Sequence, residues 1–197
     1  MGVLGCDSGV GVTHLALSLC GYCASKRRKK TAFLEMHTRS EISQLAPESQ
    51  CFPAVHTRSN VSGSADFFRM QGVDYYPHVS AARIPTLLNQ GYDYLILDLG
   101  YLNEADIAEF LRCDRKLVLG SLAPWKIWKY EAFFLQLQSS VNLGEGFCYL
   151  VQTGSRRNLH RFSGSHRVAM ANVPLIQNPF RIGKELFSFF ETLLAEV

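Results

Sequence analysis

The ten residues Gly5-Cys6-Asp7-Ser8-Gly9-Val10-Gly11-Val12-Thr13-His14 carry the clearest chemistry in the chain. A short apolar run, Val3-Leu4, precedes them, and the helical pattern Leu15-Ala16-Leu17-Ser18-Leu19-Cys20 follows. A strand, a glycine-rich turn and a helix in that order form a cradle for phosphate. The turn's N–H groups point inward and the start of the helix adds partial positive charge. The full pattern, G-x-x-x-x-G-K-[ST], adds a lysine that reaches the phosphates and a hydroxyl that holds magnesium. Here Cys6 stands at the first glycine and Val12 at the lysine, while Gly11 and Thr13 are retained. The candidate phosphate-contacting residues are Ser8, Gly9, Val10, Gly11, Val12 and Thr13, in a cradle without its cation.

A second anchor is Tyr92-Asp93-Tyr94-Leu95-Ile96-Leu97-Asp98-Leu99-Gly100. An apolar run ending in one carboxylate, with glycine close behind, suits a buried parallel strand. Such a strand carries its acid to the carboxyl edge of the sheet, beside the phosphate turn. Asp98 is therefore expected at the edge of a nucleotide site.

The first helix is expected from Thr13 to Ser25, a buried strand at Thr31–Leu34, and a helix from Ser80 to Gln90 in which Pro85 delays the start. Phe67–Met70 and Val73–Tyr76, around Gln71-Gly72, read as a small hairpin or an added edge pair. Further helices are expected over 103–112 and from Pro124, with strands at Lys116–Gly120 and Phe147–Val151. The turn-forming residues 46–64 show no period. Leu186, Phe189, Phe190, Leu193, Leu194 and Val197 keep helical spacing at the C-terminus. The opposite face of that helix is net negative, unlike the basic face of a membrane-surface helix, so it is expected to dock on the chain's own core.

Together these residues resemble the deviant P-loop ATPases of the MinD/ParA group, whose loop reads K-G-G-V-G-K-T-T. Gly9, Val10, Gly11 and Thr13 match that loop, while its two lysines fall at Asp7 and Val12. The resemblance implies a doubly wound, three-layer α/β domain with a mainly parallel sheet, spanning residues 1–197 as one domain. It also implies a metal near Thr13, Asp98 and an acid ending the second strand. The family's D-x-D there is matched by Glu35-Met36-His37, which keeps a carboxylate at Glu35 and puts imidazole where the second acid would face the attacking water. His37 and Gly100 are the candidate switch residues. The segment Ser155–Arg161, taken as a loop, falls where the family approaches the adenine base. Arg156, Arg157 and Arg161 are therefore candidate base or phosphate contacts. Val173–Ile176 and Asn178-Pro179 match the family's last strand and its proline-containing end.

Composition narrows the function. The chain has 197 residues, 47% hydrophobic, enough for one sizeable core. Five basic residues sit together at Lys26-Arg27-Arg28-Lys29-Lys30, so the formal charge of +3 rests on that one run. Without interleaved aromatics the run reads as a solvated connection, and a nucleic-acid partner is not expected. No apolar run approaches the roughly 20 residues of a spanning helix, and no signal-peptide pattern opens the chain. The six cysteines read as reduced thiols in a cytoplasm, and Cys20-x-x-Cys23 as small residues inside the first helix rather than a metal clip.

Trp125 and Trp128, with Ile127, Tyr130 and Phe134, outnumber what one helix face can bury, so an exposed aromatic stripe is a candidate partner or dimer surface. The expected function is that of a degenerate, non-hydrolysing interaction or positioning factor. It is similar to the TadZ/CpaE-like members that localise pilus or secretion machinery. The alternative is an ATP-binding dimerisation switch with an altered loop. A phosphotransfer or ligase enzyme ranks last, since it needs the missing lysine. ATP and Mg2+ are expected to bind weakly or not at all, because the lysine is absent and Asp7 puts a carboxylate where the family supplies a cation.

Overall fold

Strands rich in leucine, valine and isoleucine on both faces need cover on both sides, and the chain supplies it. A computed structural model of the protein describes residues 1–37, 42–46, 67–102, 107–138 and 146–195. Most of the turn-rich stretch, Cys51, residues 103–106 of the expected helix, and Val197 lie outside these residues.

In chain order the elements are β1 (Gly2–Gly5), α1 (Val12–Ser25), β2 (Thr31–Glu35), β3 (Phe68–Met70), β4 (Val73–Tyr76), α2 (Ile84–Leu88) and β5 (Tyr94–Tyr101). There follow α3 (Ile107–Arg112), β6 (Lys116–Ser121), α4 (Ile127–Gln138), β7 (Phe147–Thr153), α5 (Arg156–His166), β8 (Met170–Asn172) and α6 (Phe187–Leu194). Among the described residues they form one eight-stranded sheet, ordered β3-β4-β2-β5-β1-β6-β7-β8. Every pairing is parallel except β3 with β4. This is the doubly wound, mainly parallel α/β architecture expected from the sequence, with Phe68–Met70 and Val73–Tyr76 as an added edge pair.

Alternate strand residues feed two cores. Val3, Phe33, Ile96, Leu117, Leu119 and Leu150 meet α1 and α6 on one face. Leu4, Leu34, Leu97, Val118, Tyr149 and Val151 meet Ile84, Phe110, Tyr130, Phe134 and Phe162 on the other. Helix α1 is covered on its outer side as well: Tyr22 stacks on Phe190 of α6 at 5.0 Å between ring centroids. The C-terminal helix thus docks on its own core, with Phe190, Leu193 and Leu194 buried. Cys20 and Cys23 are buried, free thiols inside α1.

Four local expectations need correction. The helix expected over 80–90 is a 3-10 turn at Ala81–Arg83 followed by the short α2, with Pro85 in its first turn. Ser155–Arg161 is not a loop. Ser155 accepts a hydrogen bond from the backbone N–H of Asn158 at 3.1 Å and caps α5. The last strand is Met170–Asn172, upstream of the expected Val173–Ile176. Val173 N–H still donates to Val151 O at 2.9 Å, but Pro174 then has no N–H to continue the ladder. Finally, the basic run does more than sit in water. Arg27 grips Glu191 and the Tyr94 hydroxyl, and Lys30 N–H donates to Asp93 at 2.8 Å. The run clamps α6 and the start of β5 to the helix-to-strand connection.

Candidate functional site

The strand β1 ends at Gly5, and the chain must then turn sharply into α1. Gly9 (φ 69°) and Gly11 (φ 92°) take left-handed backbone conformations that an L-residue resists, which is why this turn is built from glycine. Gly11 caps α1 without a side-chain partner. The turn walls a cleft of about 360 Å³, lined by Asp7, Ser8, Gly9, Gly11, Val12, Thr13 and His14, with Glu35, His37, Gly100 and Tyr101 opposite. The sequence-predicted loop, the end of β2 and the switch glycine therefore meet in one place. Val10 is buried beneath the turn.

Parallel register sets the far wall. Glu35 of β2 is paired with Asp98 of β5, and both side chains are buried. Asp98 lies behind His37: its Oδ1 accepts from Gly100 N–H at 3.0 Å, and its Oδ2 is 3.3 Å from His37 Nε2. His37 Nε2 is also 4.0 Å from Glu35 Oε1. Gly100 has φ 66°, and a Cβ there would come within 3.1 Å of His37 Cβ, so glycine is what lets the imidazole lie so close. A magnesium ion requires several oxygen ligands in near-octahedral geometry. The side chains present do not fit one as arranged. Both Asp98 oxygens are engaged, one of them beside the His37 imidazole, and among the described residues no three His, Cys, Asp or Glu side chains are grouped to hold a metal.

The feature that sequence reasoning missed lies at Asp7. The Asp7 side chain is 9% exposed and does not stand alone. Lys126 Nζ is 3.0 Å from Oδ2, Lys129 Nζ donates to Oδ1, and Ser8 N–H donates to Oδ1 at 2.8 Å. Burial pushes this carboxyl up, but the hydrogen bonds from Lys129, Lys126 and Ser8 outweigh it and hold the group below its ordinary value. Asp7 is thus an ionised partner to two cations, and the bare anion expected from the sequence needs correction. Pro124 and the i, i+3 spacing of Lys126 and Lys129 were visible as a helix start. Nothing in the sequence tied Lys129 to a residue 122 positions away, nor Lys126 to the same aspartate.

The other predicted residues lie elsewhere. Arg156, Arg157 and Arg161 are exposed on α5 and do not line the cleft. Trp125, just before α4, and Trp128, in its first turn, are 72% and 57% exposed, and Leu135 two turns along is 71% exposed. Tyr130, Phe133 and Phe134 of the same helix are buried. Lys129 Nζ, besides meeting Asp7, lies 5.4 Å from the centroid of the Trp128 ring.

A parallel sheet with helices on both faces and a glycine turn between its central strand and α1 defines a P-loop-type α/β fold. More particularly, the fold is that of the MinD/ParA ATPases. A putative plasmid partition protein of Borrelia burgdorferi, solved bound to AMPPNP, superposes with a TM-score of 0.65 at 14% identity over 98% of this chain and 95% of its own. A ParA family ATPase from Chlorobium tepidum gives a TM-score of 0.61 at 8% identity, covering 89% and 84% of the two chains. The MinD cell division protein of Aquifex aeolicus gives 0.58 at 13% identity, covering 97% and 85%. Neither a protein-family model nor a curated protein matches the sequence. No helix of the described residues is long and apolar enough to cross a membrane.

Proposed function

We propose that this chain is a single-domain, non-hydrolysing MinD/ParA-like protein. It acts in the cytoplasm as an interaction or positioning factor, of the kind that assembles pilus or secretion machinery. One observation carries the reading: His37 lies against Asp98, and Gly100 N–H takes its other oxygen, where phosphoryl transfer would need a metal. Transfer of a phosphoryl group depends on cations that neutralise charge developing on its oxygens. Val12 offers none. The protein partner, a second copy included, docks on Trp125, just before α4, and on Trp128 and Leu135 of α4, large apolar side chains left exposed beside the buried Tyr130, Phe133 and Phe134.

The test is a phosphate-release assay with ATP and Mg2+. No turnover above background is expected. A turnover comparable to that of working ATPases of this fold, abolished by Asp98→Ala, overturns the reading.

The alternative, an ATP-binding dimerisation switch with an altered loop, is favoured by a different observation. Lys126 and Lys129, from outside the loop, pair with Asp7, which lines the cleft.

A further inference from the structure

We propose that Lys126 and Lys129 form the cationic half of an anion site for phosphate groups, and that Asp7 is a built-in competitor that holds them until a phosphate takes its place. The inference rests on the reading of the cleft as a seat for phosphate, and not on whether hydrolysis follows.

The geometry has three parts. First, Asp7 lines the cleft, and the two ammonium groups, which are not themselves part of its lining, are held on the Asp7 carboxylate. Second, the Asp7 carboxylate stands among the donors a phosphate oxygen would use. It accepts from Lys129 and from Ser8 N–H, an amide of the glycine turn, and pairs with Lys126. A carboxylate and a phosphate oxygen make the same charge-assisted hydrogen bonds, so one can replace the other. Third, the lysine side chains are 32% and 33% exposed, which leaves their long stems free to swing a few ångströms toward an incoming anion. Two lysines and one aspartate leave a net positive charge at this wall. The lysine lost at position 12 is thus offset from the first turn of α4 and the residue before it, and restrained by Asp7.

The arrangement also links the cleft to the surface. Lys129 touches both the Asp7 carboxylate and the Trp128 ring, and Trp128 Nε1 donates to Trp125 O at 3.2 Å. Moving Lys129 onto a phosphate therefore changes the surroundings of the exposed aromatic pair. Occupancy of the cleft is reported on the face proposed for a partner.

The chain's two tryptophans are both on this turn, so intrinsic fluorescence reads the event directly. The full-length protein is titrated with pyrophosphate, with ATP and with adenosine. Wild type should respond to pyrophosphate and ATP only at high concentration, and not to adenosine. Asp7→Asn keeps the shape of the side chain and frees the lysines, so half-saturation should fall about ten- to a hundredfold. Lys126→Met with Lys129→Met should abolish the response, and a rise in melting temperature with pyrophosphate should track the same order of variants. That double variant also serves if Asp7→Asn fails to fold. Equal responses to pyrophosphate and ATP mark a site for phosphate alone, and a stronger ATP response marks a nucleotide site; either supports the proposal. Binding that is lost in Gly9→Ala but indifferent to the lysines retains the cleft and overturns the role of Lys126 and Lys129. No binding in any variant overturns the phosphate cleft itself.

Discussion

His37 Nε2 stands 3.3 Å from Asp98 Oδ2, and the two side chains close the back of the cleft against each other. That contact joins His37, just past β2, to the middle of β5, and Gly100, with φ 66°, leaves room for it. Both oxygens of the Asp98 carboxylate are thereby engaged, one by the imidazole and one by Gly100 N–H.

Restoring charge to the loop should restore binding. Val12→Lys is expected to raise ATP affinity about tenfold to a hundredfold, the worth of one charge-assisted hydrogen bond. The position is 7% exposed and packs in the core, so the change should also cost about 1.5–3 kcal/mol of stability. Calorimetric titration with ATP, beside denaturant unfolding, checks both. Adding Asp7→Lys, attractive from the sequence, would crowd a third cation against Lys126 and Lys129, and the gain should shrink. Micromolar ATP affinity in wild type would sink the premise that the loop is short of charge.

Trp128→Ala should weaken self-association or partner capture in sedimentation and pull-down experiments. The melting temperature should barely move, since a side chain 57% exposed contributes little to the core. Cooperative unfolding of the variant at room temperature would show that this ring is structural.

The clamp on α6 should make stability fall in acid. Hydrogen bonds from Arg27 and Tyr22 hold the Glu191 carboxyl at about 2, below its ordinary 4.5. The folded value is the lower one, so the ionised form favours the fold. The contribution is complete above about pH 4.5 and is lost as the pH falls toward 2. Glu191→Gln should flatten the dependence of unfolding free energy on pH in that window. A slope identical to wild type would remove Glu191 from the account.

Tyr130 is buried in the second core, and its hydroxyl, 3.1 Å from both Val118 O and Leu150 O, shares its one proton between them. Burial pushes this phenol well above its ordinary value, so it stays neutral and a donor. Tyr130→Phe should cost about 1–3 kcal/mol in urea unfolding with little change in the slope against urea. A stabilised variant would show that the two carbonyls need no third partner.

The sequence told most about residues whose environment is simple. Ile96-Leu97 and Leu117-Val118-Leu119 are buried from both sides, so an unbroken apolar run sufficed to place β5 and β6. Helix α5 was obscured because only Phe162 of its eleven residues is buried, leaving a polar stretch that looks like a loop. Pro174 displaced the last strand by removing one donor, a local effect that overrode a plausible apolar run. In the cleft, Gly9, Gly11, Glu35, His37 and Gly100 were legible because short turns hold them at strand ends. The Asp7–Lys126–Lys129 cluster was not, because long-range charge pairing leaves no period in a sequence.

The edge pair has a consequence of its own. Among the described residues the sheet is bounded by β3 and β8, each only three residues long. Arg69 projects from the middle of β3, 62% exposed even while it grips Asp74. An open strand is a template on which another chain can grow, and shortness and charge are two ways of blunting it. Both margins of this sheet are short and one is charged. At high concentration the protein should therefore resist copy-to-copy extension of its sheet, and fibril-like growth should remain slow as long as the fold is intact.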